Sequence, residues 1–141
     1  MNLKRIKDRV DLDLANSLTL LCNNLDNVFH INEGGCIYVA WKIAEKLEEI
    51  NIPYKVRKWY EPYNTNKEYS LPYHISLVVE GIDINPSTAD DITNPIIKDS
   101  EESAKMLRQE NTKFEDRMSR YWKQSYKPKV REEINKIFNN I

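Results

Sequence analysis

Apolar residues recur at three- and four-residue steps near the start of the chain, where Leu14, Leu18, Leu21, Leu25 and Val28 make one stripe. That spacing predicts an amphipathic helix over residues 1–31. Gly34-Gly35 breaks the pattern, and a second helix is predicted from about Cys36 to Ile50. Val39, Ala40, Ile43, Ala44, Leu47 and Ile50 form its inner face, with Glu45, Lys46, Glu48 and Glu49 outside. Pro53 stops it, because proline cannot continue the hydrogen-bond ladder. The period then changes to two. Residues 54–60 read as a strand, and 73–80, rich in Ile75, Leu77, Val78 and Val79, give the strongest strand signal. Glu80-Gly81 turns this strand back into residues 82–85 as a tight hairpin, ended by Pro86. Between the two longer strands, residues 61–71 carry Pro62, Asn64, Thr65, Asn66 and Ser70 and read as an exposed loop. Past residue 86 the chain turns polar. A connecting loop leads to a long charged helix over about 99–124, and a short helix with Val130, Ile134, Ile137 and Phe138 follows Pro128. The predicted class is α+β, with helices around a small antiparallel sheet.

The 141 residues fit a single domain, 1–141, and 40% hydrophobic with 30% charged residues supports a packed core rather than long-range disorder. A formal net charge of −1 excludes a chain that binds polyanions by overall charge. The longest aliphatic run, Leu18 to Cys22, is far short of the ~20 residues a membrane-spanning helix needs. The basic start MNLKRIKDRV has no apolar stretch behind it, so neither a secretory signal nor a membrane partner is expected. Two cysteines make no disulfide framework, and a reducing, cytoplasmic location is the expectation.

Only three glycines occur, and two of them, Gly34 and Gly35, stand directly before Cys36. Cys36 falls in the first turn of the second helix, where free N–H groups and the helix dipole lower a thiol pKa and favour a thiolate. The two glycines would let a substrate backbone approach without a Cβ in the way. His74 opens the best strand. If Glu80-Gly81 is a two-residue turn, Val79 pairs with Ile82 and Ser76 with Asn85. His74, Ser76, Asp83 and Asn85 then share one face. An Asn or Asp beside the imidazole would hold its tautomer while the other ring nitrogen takes a thiol proton.

From Gly34 to Ser87 the sequence resembles the transglutaminase-like superfamily within the papain-like cysteine fold. The matching pieces are GGC at 34–36, NIPYKV at 51–56, His74, and INPS at 84–87. Cys36 and His74 are 38 positions apart and His74 and Asn85 are 11 apart, spacings near those of that family. Two departures stand out: Asn85 in place of the family's Asp before proline, with Asp83 as the fallback, and Ser76 where an aromatic often follows the histidine by two positions. The resemblance implies a papain-like core at 34–87 with a helical C-terminal extension at 98–141. It also implies a cysteine-dependent amide hydrolase or acyl transferase that works through Cys36, His74 and Asn85 on a protein or peptide substrate, with no cofactor. The Cys36 N–H is the natural oxyanion donor, and His30, Asn32 and Asn27 are candidates for a second.

A competing feature lies in the tail. Residues 98–141 hold 11 basic and 8 acidic residues, whereas 1–97 hold 10 and 14. Arg117, Arg120, Lys123, Lys127, Lys129 and Arg131 are uninterrupted by acids and interleaved with Tyr121, Trp122 and Tyr126. Such a face suits nucleic acid or another anionic partner. In that alternative the papain-like core is an inactive binding module. The histidines and cysteines lack the clustered spacing of a structural zinc site, and no calcium-loop pattern accompanies Asp83, Asp90 and Asp91.

Overall fold

The computed structural model describes residues 3–32, 35–62, 72–87, 92–115 and 118–140, with side chains of the first helix from residue 11 onward. In chain order the elements are α1 (Leu3–Phe29), α2 (Cys36–Glu49), β1 (Lys55–Tyr60), β2 (His74–Val79), β3 (Ile82–Asp83), β4 (Ile96–Ser100), α3 (Ala104–Glu115), a π-helical turn (Trp122–Tyr126) and α4 (Lys127–Asn139). The architecture is α+β: a four-stranded antiparallel sheet in the order β3-β2-β1-β4, with helices packed on it. Among the described residues no helix is long and apolar enough to cross a membrane.

The hairpin forms as its sequence dictates. Glu80 (φ 51°) and Gly81 (φ 74°) both take left-handed backbone, the requirement of the tight turn whose twist matches its strands. Val79 then pairs with Ile82 and Val78 with Asp83. Ile84 N donates to the Leu77 carbonyl at 3.0 Å, carrying the register one pair further. On one face of the sheet, Ile75, Leu77, Val79 and Val56 are buried, and α2 packs against β2 with Val39, Ala40, Ile43, Ala44 and Leu47 also buried. The alternate residues, His74 and Ser76 with their cross-strand partners Trp59 and Arg57, line the opposite face. Leu14, Leu18, Leu21 and Leu25 of α1 join the same core, as do Leu107, Trp122, Val130 and Ile134.

The structure departs from the sequence pattern in four places. Val28 is 61% exposed, because α1 ends one residue later and Phe29 turns inward instead, its ring 5.3 Å from that of Tyr126. Ile50, just past the end of α2, is 38% exposed. Residues 96–100 form an edge strand, where the sequence predicts the end of the connecting loop and the start of a helix at about 99. Asp99 is a poor strand former, but it accepts two hydrogen bonds from the Arg57 guanidinium, at 2.7 and 2.9 Å, directly across the β1–β4 ladder. The long charged helix predicted over 99–124 is instead divided between the end of β4, α3 and the start of the segment that holds the π turn. α3 is tied to β1 by Lys58, which donates to Glu102 just before the helix and to Glu110 within it, both at 3.0 Å. Finally, the last helix begins before Pro128. Ser119 Oγ accepts the Trp122 N–H at 3.1 Å and caps the segment. The π turn lies just ahead of Pro128, where a proline ring and its missing N–H would disrupt an α-helical bond.

Gly35 shows how the C-terminal segment is fitted to the rest. A Cβ added there would stand 2.4 Å from Cζ2 and 3.0 Å from Cε2 of the Trp122 indole, and 3.1 Å from the Ile31 carbonyl oxygen. The space in front of Gly35 is thus occupied by the Trp122 indole rather than open; Gly34 lies outside the described residues. Gly35→Ala is expected to cost about 1–3 kcal/mol by overpacking. Thermal melting of Gly35→Ala, Trp122→Ala and the double variant checks this, because the cost of the alanine should shrink once the indole is gone, leaving only the part set by the Ile31 carbonyl.

Candidate active site

Cys36 is the first residue of α2 and is 9% exposed. Its thiol faces the backbone N–H groups of Ile75, Ile37 and Cys36 itself. The Ile75 N–H is available for a local reason. Leu77 bonds toward β3, so by the period of the ladder Ile75 points the same way. β3 has ended by then, and the chain leaves through Asn85-Pro86. The sulfur thus meets β2 one residue along from His74.

His74 is 3% exposed, and its Nε2 lies 2.6 Å from the Asn85 backbone oxygen. A carbonyl only accepts, so Nε2 carries the proton and Nδ1 of the neutral ring is left as an acceptor. Asn85 therefore holds the ring through its main chain. Its carboxamide donates instead to Asn32 Oδ1 at 3.0 Å, tying the hairpin to the α1–α2 connection. Asp83, the fallback for Asn85, has no hydrogen bond to the ring and acts one step back. Its carboxylate accepts from the Asn85 N–H at 3.0 Å and from Ser76 Oγ at 2.9 Å, with Arg57 Nη1 3.6 Å away. The hairpin register expected from the sequence is present, and it delivers Asn85 by its carbonyl rather than by its side chain.

Two further residues, Trp59 and the candidate donor Asn32, complete the surroundings. Trp59, cross-strand from His74, places its ring 6.1 Å from the imidazole at 62° and donates to Ser76 Oγ at 3.2 Å. It supplies the aromatic neighbour absent at position 76. Arg57 and Trp59 alternate along the predicted strand at 54–60, but the β1–β2 pairing that brings the indole to His74 spans residues 61–73. Asn32 is the second; its own N–H is held by the Asp26 carboxylate at 3.0 Å. Of the three candidate oxyanion donors, Asn27 and His30 are exposed, and Asn32 alone is bonded to a member of the site.

Burial dominates the electrostatics. It pushes the Cys36 thiol up, and the three N–H groups around the sulfur recover only part of that. At the α2 N-terminus the balance therefore runs toward the thiol, against the thiolate that the helix position alone favours. Burial also pushes the His74 imidazole down, against the pull of the Asn85 carbonyl and of Asp83 and Asp26. Among the described residues no hydrogen bond joins the thiol to the imidazole. Cys22, fully buried on α1, is pushed up to about 12 by burial and by Asp83 and Asp26. No three His, Cys, Asp or Glu side chains among the described residues stand together as metal ligands.

The tail residues divide between core and surface. Trp122 is buried, Tyr126 packs on Phe29 and Tyr121, and Lys127 is paired with Glu115 and lies over the Tyr38 ring. Arg120, Lys129, Arg131 and Tyr121 are exposed and Lys123 half-buried; Arg117 lies outside the described residues. No protein-family model matches the chain, and no curated protein or solved structure matches it significantly.

The direction at His74 fixes an acid response. Its folded pKa lies below the ordinary 6.5, so the unfolded chain takes up the proton first. The stability linked to this histidine is complete above pH 6.5 and declines as the pH falls below it. Melting temperature should drop between pH 7.5 and 5.5 in the native protein and drop less in His74→Gln; equal drops would remove His74 as the cause.

Proposed function

We propose that this chain is a cysteine-dependent amide hydrolase or acyl transferase of papain-like, transglutaminase-like type, acting on a protein or peptide carbonyl. The reading rests on one arrangement: a helix-terminal thiol against the Ile75 N–H, one residue from an imidazole whose Nε2–H is held by the Asn85 carbonyl. As Cys36 Sγ bonds to the carbonyl carbon, His74 Nδ1 takes the thiol proton, and the carbonyl π pair moves onto oxygen. The N–H groups at the start of α2 receive that oxyanion. Collapse of the adduct expels the amine, which takes the proton from the imidazolium and leaves a thioester on Cys36. Water then releases an acid, or a second amine forms a new amide.

Because both groups are neutral at rest, His74 acts as a general base during attack, with no standing thiolate–imidazolium pair. Its first test is acylation by p-nitrophenyl acetate, with the acetyl group located by peptide mass. Cys36→Ser should abolish labelling at position 36, and His74→Ala should slow it by about 10²–10⁴-fold. Asn85→Ala should cost less than about tenfold, since the backbone carbonyl that holds the ring remains. Labelling that is independent of His74 would sink the reading.

A second reading is an anionic partner, favoured by the exposure of Arg120, Lys129, Arg131 and Tyr121. Salt-dependent retention on heparin that falls in an Arg120→Ala, Lys129→Ala, Arg131→Ala variant would support it. Unretained native protein would rule it out.

A further inference from the structure

Three features meet at Trp122. Its indole occupies the space where a Cβ of Gly35 would lie, immediately before Cys36. The side chain is buried, at 8% exposure, yet its Nε1–H has no acceptor among the described residues. Indole N–H groups that are buried normally find a partner, and leaving one without disfavours the buried state. Finally, Trp122 opens the π turn, whose wide ring closes through the Lys127 N–H onto the Trp122 carbonyl. Such turns are less regular than α-helix and recur at functional sites.

The neighbouring contacts hold the rest of the segment in place. Tyr126 packs edge-on against Phe29 at 5.3 Å, Lys127 pairs with Glu115, and Val130 and Ile134 of α4 are buried in the core. The indole itself is held by an edge contact with Tyr38, ring centres 5.8 Å apart, and by its fit against Gly35. The indole shares the core with Val130 and Ile134, and of these it is the one that carries an unpartnered polar group.

We propose that Trp122 is an intramolecular plug on the approach to Gly35-Cys36, and that it turns out of this position before Cys36 meets a carbonyl. Outward rotation gives Nε1–H an acceptor in water, uncovers the start of α2 and leaves α4 docked. The device gains its meaning from the reading of Cys36 as a nucleophile, but it makes a claim about access alone. It can therefore be tested without any substrate.

The test is iodoacetamide alkylation of the full chain at fixed pH, read at each cysteine by peptide mass, with Cys22 as the internal control. Trp122→Ala should raise the Cys36 rate by about tenfold or more while Cys22 stays protected. Trp122→Phe keeps a ring in the same place and should stay within about threefold of the native rate. The proposal is overturned if Cys36 in Trp122→Ala reacts at the native rate. It is equally overturned if Cys22 rises in parallel, since that reports general loosening of the core. A plug without catalysis would show the alkylation change but no His74-dependent acylation. Catalysis without a plug would show the reverse.

Discussion

Two residues of left-handed backbone, Glu80 and Gly81, set the register on which the whole site depends. Because the turn has two residues and not three, Asp83 falls opposite Val78, and Asn85 reaches the level of Ser76 and His74. A slip of one position would send every side chain of the returning strand to the other face. Asp83 would then leave Ser76, and the Asn85 carbonyl would leave the imidazole. Pro86 supplies the complementary constraint. β3 stops at Asp83, and Pro86, with no N–H to give the ladder, does not extend it to the level of Ile75, so the sulfur of Cys36 has a donor to face.

Hydrogen bonds around the imidazole are arranged in a chain that runs from charge to ring. Arg57 stands beside Asp83, Asp83 fixes the Asn85 N–H, and the Asn85 carbonyl fixes Nε2. The ring thus receives orientation from a carboxylate without touching it. An Asp in contact with the ring would stabilise the imidazolium directly. Here the ring sees a neutral carbonyl, while burial works against the charged form. The same burial works against the thiolate. Helix-terminal N–H groups favour negative charge by a modest amount, whereas desolvation of a fully enclosed sulfur is a larger effect, and it wins.

How much of this could be read from sequence depends on the distance over which each feature is decided. α2, β2 and the hairpin are local, and their apolar periods and turn residues were legible, as was the sharing of one face by His74, Ser76, Asp83 and Asn85. β4 was not, because IIKDS has too few apolar positions to alternate. What makes it a strand is Arg57, forty-two residues earlier, gripping Asp99. Trp59 beside His74 was hidden for the same reason, since a pairing across a long loop is set by tertiary packing. Asn85 was found as a residue but with the wrong atoms, because sequence reports side chains and the group used is a carbonyl. Gly35 was singled out by its scarcity, and in the structure the group lying against it is the Trp122 indole: scarcity of glycine marks a close approach, but not what approaches.

What approaches is the C-terminal third of the chain, which carries none of the proposed reacting groups and still governs them. Tyr38, two residues beyond Cys36, shows the extent of that cover: enclosed by α2, Trp122 and Lys127, its phenol is pushed up to about 12, chiefly by burial. The thiol at the same helix end is raised by the same cause. Removing cover from that end reduces the desolvation cost but leaves the N–H groups of Cys36, Ile37 and Ile75 in place, since they belong to α2 and β2. The balance at sulfur then shifts toward the thiolate. Access and activation are thereby linked through one quantity, the burial of the α2 N-terminus, and an indole that controls the first controls the second as well.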